Sequence, residues 1–104
     1  MIPNLDYINE ISANDLTFKD KIIGIIKRDF PLEKDEFLNN YKSNMYLLAA
    51  ENVHKLKHKI NMFGLEKGYV IAVKFENELK ENNNQSFESF IDVLKTIDNY
   101  LKNI

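Results

Sequence analysis

The segment from His54 to His58 holds the residues of this chain that are best suited to chemistry. His54 and His58 are the only two histidines of the chain, and Lys57 stands three positions after His54. A neutral imidazole nitrogen can attack phosphorus, and a nearby ammonium group stabilises the charge that spreads over the phosphoryl oxygens during transfer. These residue types can therefore support phosphoryl transfer, although a histidine on the flank of a helix is more often only a solvated surface residue.

The composition excludes several other chemistries. The chain has no cysteine, which rules out disulfide scaffolds, thiolate zinc sites and cysteine nucleophiles. It also lacks a GxxxxGK[ST] loop and a glycine-rich nucleotide lid. We therefore expect no autonomous kinase activity and no intrinsic cofactor.

Charge and hydropathy indicate which compartment and which kinds of partner to expect. The formal net charge of −2 gives no general attraction to nucleic acid. The longest apolar runs, residues 45–50 and 69–73, are too short to span a bilayer, and the start of the chain lacks the features of a secretory signal. We expect a cytoplasmic protein that binds neither nucleic acid nor membrane.

The hydrophobic spacing predicts an all-α fold. Glycine and proline are scarce, and apolar residues recur three and four positions apart along most of the chain. A short opening helix would contain Leu5, Ile8 and Ile11, and Asn14 or Asp15 would cap a second helix that starts near there. Because Pro31 cannot donate a backbone hydrogen bond, it predicts a kink or break of this second helix near Asp29.

The central helix carries His54. It would begin after the polar turn at 42–44, with Asn44 as an N-cap candidate, and end at Gly64, which can take the left-handed conformation. Its buried seam would consist of Tyr46, Ala49, Val53, Leu56, Ile60 and Phe63. His54 lies beside this seam. The residues that share its face are Ala50, Lys57, His58 and Asn61.

Two further helices complete the predicted fold. Residues 69–73 are rich in the aromatic and β-branched types of a strand, but their helical spacing favours a helix. The last helix would follow the polar connector at 82–85, with Ser86 as its N-cap candidate. Short connections require antiparallel neighbours, so we expect one domain, residues 1–104, forming an up-down antiparallel four-helix bundle with a short extra N-terminal helix.

Several features of the chain resemble the histidine phosphotransfer domain of two-component phosphorelays. His54 is followed by Lys57 and Gly64 at the family's usual spacings, and Phe75-Glu76 resembles the apolar-acidic pair of the next helix. The resemblance covers nearly the whole chain in order and spacing. One departure is His58, which stands where the family usually has glycine.

This resemblance implies a phosphorelay intermediate. His54 would be the phosphoacceptor and Lys57 would stabilise the phosphoryl group, which would come from a phosphoaspartate and pass to another receiver. The partners would be response-regulator receiver domains and a hybrid histidine kinase. Mg²⁺ would belong to the receiver, and this chain would act as a monomer without a metal. The other residues of the expected site are Ala50, Lys55, His58, Asn61 and Gly64.

Two other interpretations stay open. In one, the chain is a non-catalytic helical adaptor that docks a receiver while His54 never carries phosphate. In the other, it is a helical bundle that binds zinc or nickel at the surface through the pair His54 and His58. Glu51 lies on the same helix face and forms with His54 the Glu-x-x-His pattern that occurs in di-iron bundles. Only one such pattern exists here, whereas a carboxylate-bridged di-iron centre needs two.

Overall fold

The computed structural model describes residues 1–104 as five α-helices without a strand. The helices are α1 (Asp6–Ser12), α2 (Leu16–Lys42), α3 (Tyr46–Met62), α4 (Glu66–Lys80) and α5 (Phe87–Lys102). The four long helices pack as a four-helix bundle, with α1 against α2. The predicted all-α fold is confirmed, including a helix over residues 69–73. No helix combines the length and apolar character that a bilayer span requires.

One apolar core draws on all five helices. It comprises 19 buried residues, and its largest members are Phe30, Phe37, Phe63, Phe75 and Phe90. Five of the six seam residues predicted for α3 are fully buried, and Tyr46 is half-buried. Burial of each large side chain contributes roughly 1.5–3 kcal/mol, so the core sets the rotation of α3 about its axis.

The α2 helix runs through Pro31 without interruption, so of the predicted kink or break near Asp29 the break is wrong. Pro31 lacks the N–H that would donate to the carbonyl of Lys27, a loss of about 3 kcal/mol in a helix interior. Phe30 and Phe37, on either side of it, are fully buried in the core. Packing along the apolar stripe outweighs the single missing backbone hydrogen bond.

The helix caps agree with prediction at one helix start and differ at two. Asp15 is the N-cap of α2, and its side chain accepts a hydrogen bond from a first-turn N–H at 3.1 Å. Met45, not Asn44, is the N-cap of α3, and Asn44 takes the left-handed conformation with φ of 58°. Ser86 is the N-cap of α5 but its side chain makes no cap bond, and its hydroxyl donates to Glu78 at 2.7 Å.

A tight hairpin sets α4 beside α3. Gly64 follows α3 with φ of 74°, the left-handed conformation predicted for it, and Leu65 is buried. A Cβ on Gly68 would lie 3.1 Å from Ile60, so this glycine lets α4 approach α3 closely. The hairpin thereby brings side chains of α4 next to the face of α3 that carries His54.

Candidate functional site

The α3 helix holds His54 at the surface of the bundle. Val53 and Leu56, which flank His54 in sequence, are fully buried, so the core sets the direction in which the histidine points. The His54 side chain is 53% exposed and lies beside the contact between α3 and α4. This position combines a fixed backbone with an open approach to the ring.

A glutamate from α4 orients the His54 ring. Phe75 and Leu79 anchor this part of α4 in the core, and the Glu76 side chain between them is only 8% exposed. Its Oε2 lies 3.1 Å and its Oε1 3.3 Å from Nδ1 of His54. An ionised carboxylate can only accept hydrogen bonds, so we assign the proton to Nδ1. The unprotonated nitrogen is then Nε2, which has no hydrogen-bond partner in the chain.

Two lysines complete the hydrogen bonding of Glu76. The Nζ of Lys57 donates to Oε1 at 3.0 Å, and the Nζ of Lys80 donates to Oε2 at 3.2 Å. Burial raises the pKa of the Glu76 carboxyl, but the hydrogen bonds from Lys57, Lys80 and His54 outweigh burial and leave the pKa below its ordinary value. Glu76 is therefore an anion at neutral pH, in direct contact with the His54 ring.

A surface cavity of about 490 Å³ opens beside His54. Its lining residues are Ala50, Glu51, His54, Lys55, Glu76 and Lys80. Two ammonium groups thus border the cavity, and Lys57 does not line it. Lys57 is 12% exposed and turned toward Glu76, whereas Lys80 is 55% exposed.

The predicted site residues that lie near His54 in the sequence also lie near it in the structure. Ala50 is buried and forms part of the cavity wall, and Lys55 lines its rim. The ring of His58 stands edge-on to that of His54, with centroids 5.2 Å apart and planes at 85°. These three residues surround the imidazole on its own helix.

The more distant members of the predicted site are not brought into the cavity. Asn61 is exposed two turns beyond His54. Gly64 lies in the hairpin, roughly 15 Å along the helix axis from His54, and a Cβ there would lie 2.5 Å from Nδ2 of Asn4. The structure gives Gly64 a role in the turn.

Lysines differ in whether they face the site. Lys59, the third lysine of the segment 54–59, pairs with Glu33 of α2 at 2.8 Å and points away from His54. Lys80 was not among the predicted site residues. Its one sequence signal is the position four residues after Glu76, which favours an ion pair on the same helix. That signal gives no hint that both groups meet His54.

No group of three histidine, cysteine, aspartate or glutamate side chains is arranged to hold a metal ion. The chain's only two histidines, His54 and His58, lie side by side on α3.

No family model, no curated protein and no solved structure matches this chain. A functional proposal therefore rests on the residues around His54 and their geometry.

Proposed function

We propose that this chain is a phosphorelay intermediate, in which His54 accepts a phosphoryl group from a phosphoaspartate of a receiver domain and passes it to another receiver. The observation that carries the proposal is the contact of an exposed His54 ring with the buried, ionised Glu76, at 3.1 Å. This contact holds the proton on Nδ1 and leaves Nε2 free for attack. A histidine that is only solvated needs no such partner.

The transfer step uses the groups around His54 in distinct roles. The lone pair of Nε2 attacks phosphorus and forms the N–P bond, while the P–O bond to the aspartate breaks and its electron pair leaves as a carboxylate. The Nδ1 proton stays on the ring, which becomes an imidazolium. Glu76 stabilises this positive charge and fixes the ring orientation, as the carboxylate does in histidine-carboxylate pairs of other active sites. The reverse step returns the ring to its neutral form.

Ammonium groups at the cavity stabilise the phosphoryl oxygens. Lys80 and Lys55 line the cavity beside His54, so both can approach a group attached to Nε2. Lys57 bonds to Glu76 and acts mainly by positioning that carboxylate. In the proposed mechanism the phosphate-stabilising role first expected of Lys57 therefore passes to Lys80 and Lys55.

The proposal leaves the activation of phosphate to the partner. The chain contains no nucleotide-binding loop, so the phosphoryl group reaches it as an acyl phosphate on a receiver domain. The receiver holds the Mg²⁺ in this scheme, and the histidine protein supplies the nucleophile and the cationic rim.

Transfer from a phosphorylated receiver domain tests the proposal. The purified chain is mixed with several radiolabelled receivers, and the product is tested for phosphate that is labile to acid and stable to base, as expected of phosphohistidine. We expect label on the wild type and none on His54→Gln. His58→Gln is the matched control, since it removes the other histidine and still takes label on His54.

The same experiment separates the carrier from the non-catalytic adaptor. Receiver binding is measured in parallel by calorimetry for the wild type and His54→Gln. Binding by both proteins, with no label on either from any receiver, would favour the adaptor. Label that persists on His54→Gln would place the acceptor elsewhere and reject the proposed role of His54.

A further inference from the structure

His54 and His58 present two imidazole rings to the same side of α3. They are four residues apart, so they lie one above the other on the helix, and both side chains are exposed. Their ring centroids are 5.2 Å apart. Phosphoryl transfer as proposed above uses only His54, which leaves the function of the second ring unassigned.

The spacing of the two rings matches that of a pair of metal ligands. In a zinc site each imidazole nitrogen lies about 2.0–2.1 Å from the ion, so each ring centroid lies about 3.2 Å from it. Two such rings at a tetrahedral angle have centroids about 5 Å apart. The observed separation of 5.2 Å is close to that spacing, and an ion bound here would be held by Nε2 of His54 and a ring nitrogen of His58.

Glu76 prepares His54 for such a bond. Histidines that bind metals usually donate their other ring N–H to a carboxylate, which fixes the tautomer and increases the basicity of the ligating nitrogen. The buried carboxylate of Glu76 contacts Nδ1 of His54 in this manner, and Nε2 is free.

Five charged side chains lie near His54. Glu76 is paired with both Lys57 and Lys80, so it offsets one of their two positive charges. Glu51 lines the same cavity as Lys55 and offsets a second. One positive charge is left, which lowers the affinity for a cation without preventing its coordination by two imidazole nitrogens.

We infer that His54 and His58 together bind a late first-row divalent ion, with Zn²⁺ as the representative, and that this ion competes with the phosphoryl group for Nε2 of His54. Imidazole suits zinc, copper and nickel. Since only two side chains ligate the ion and water fills its other positions, we expect a dissociation constant on the order of 1–100 μM. The competition, but not the metal site itself, rests on the proposed function.

Calorimetric titration of the full, tag-free chain with zinc chloride tests the site without any receiver. We expect one ion per chain for the wild type and affinity lower by at least about tenfold for His54→Gln and for His58→Asn, since each loses one of two ligands. Glu81→Gln, which removes an exposed carboxylate elsewhere, is the control and keeps the wild-type affinity. Circular dichroism checks that each variant is folded. Wild-type affinity no better than millimolar, or unchanged affinity of His58→Asn, would overturn the inference.

A second measurement tests the competition. The rate of phosphotransfer with zinc at ten times its dissociation constant is divided by the zinc-free rate of the same protein. At this zinc concentration, ten times the wild-type dissociation constant, we expect a ratio of about 0.1 for the wild type and at least about 0.5 for His58→Asn, whose affinity is at least about tenfold lower. An effect of zinc on the receiver lowers both ratios alike, so the difference between them measures the competition. Equal ratios would overturn the competition. Zinc binding without label from any receiver would instead count against the proposed function and leave the metal site standing.

Discussion

Glu76 of α4 and His54 of α3 are joined by a contact of 3.1 Å between Oε2 and Nδ1, although 22 residues separate them in the sequence. Glu76 is buried and His54 is exposed. The carboxylate therefore contacts the Nδ1 side of the ring, and Nε2 faces solvent. His58 has no comparable partner. The contact therefore distinguishes His54 from His58 by geometry, independently of the sequence resemblance that singled out His54.

Replacing Glu76 by glutamine should slow phosphotransfer to His54 by about 10- to 100-fold, the usual effect of removing a partner that orients a reactive or ligating histidine. Glutamine keeps an oxygen acceptor but loses the charge that stabilises the imidazolium. Transfer kinetics measure the rate, and long-range ¹H–¹⁵N spectra measure the proportion of the Nδ1–H tautomer. Glu81→Gln serves as the control. An unchanged rate together with an unchanged tautomer would show that Glu76 does not position the ring.

Acid should remove a stabilising contribution of Glu76. The pKa of this carboxyl is lower in the folded chain than in the unfolded chain, because bonds from Lys57, Lys80 and His54 outweigh its burial. The unfolded state then takes up the proton more readily, so the contribution is fully present above the ordinary glutamate pKa of about 4.3 and is lost as the pH falls through the lower folded pKa. Urea unfolding at pH 7 and at pH 3 checks this. We expect the stability difference between the wild type and Glu76→Gln to shrink at the lower pH, and a constant difference would contradict the argument.

Lys57 and Lys80 should differ in their effect on stability, although both bond to Glu76. Lys57 is 12% exposed, so Lys57→Ala leaves a buried carboxylate short of one donor and should cost about 1–3 kcal/mol. Lys80 is 55% exposed and pairs within one helix, so Lys80→Ala should cost less than about 0.5 kcal/mol. Chemical denaturation of both variants provides the comparison. Equal losses would mean that the exposed pair is as strong as the buried one.

Lys80→Ala should nevertheless slow phosphotransfer by roughly tenfold or more, since the Lys80 ammonium lines the cavity beside His54. Lys67→Ala is the matched control, because it removes a lysine of the same helix that does not line this cavity. Single-turnover rates with saturating receiver separate this effect from weaker docking. A rate for Lys80→Ala equal to that of the control would assign the stabilisation of phosphate to Lys55 instead.

Gly64→Ala should destabilise the fold by about 1–2 kcal/mol through backbone conformation alone, since its φ is 74°. The new Cβ would also lie 2.5 Å from the side chain of Asn4. The double variant Asn4→Ala, Gly64→Ala removes that contact, so it should recover part of the loss but not the backbone term. Thermal or urea unfolding of Gly64→Ala, of Asn4→Ala and of the double variant measures both contributions. Wild-type stability of Gly64→Ala would mean that the hairpin relaxes into another turn.

Local features of the chain were predictable because they depend on neighbours in sequence. The spacing of apolar residues is typical of long helices, and Val53, Leu56 and Ile60 are buried as that spacing requires. The left-handed turn at Gly64 and the cap at Asp15 likewise follow from the properties of single residues. The position of His54 beside the seam of α3 follows from helical geometry alone.

Other features depended on contacts between helices. The continuity of α2 through Pro31 reflects core packing on both sides of the proline, which a local rule cannot weigh. Ser86 lacks the expected cap bond, and its hydroxyl instead donates to Glu78 of α4, a contact between two helices that the residue type does not indicate.

The candidate site was likewise predictable from the sequence only in part. The amino-acid sequence determined which reactive groups share one face of α3, since residues three and four apart on a helix are always neighbours. Only the tertiary structure decided that Glu76 and Lys80 of α4 meet them, because the close approach of two helices and the rotation of each are set by burial of the whole core. That packing made the Glu76 carboxylate a buried anion and, through it, assigned the proton to Nδ1 of His54.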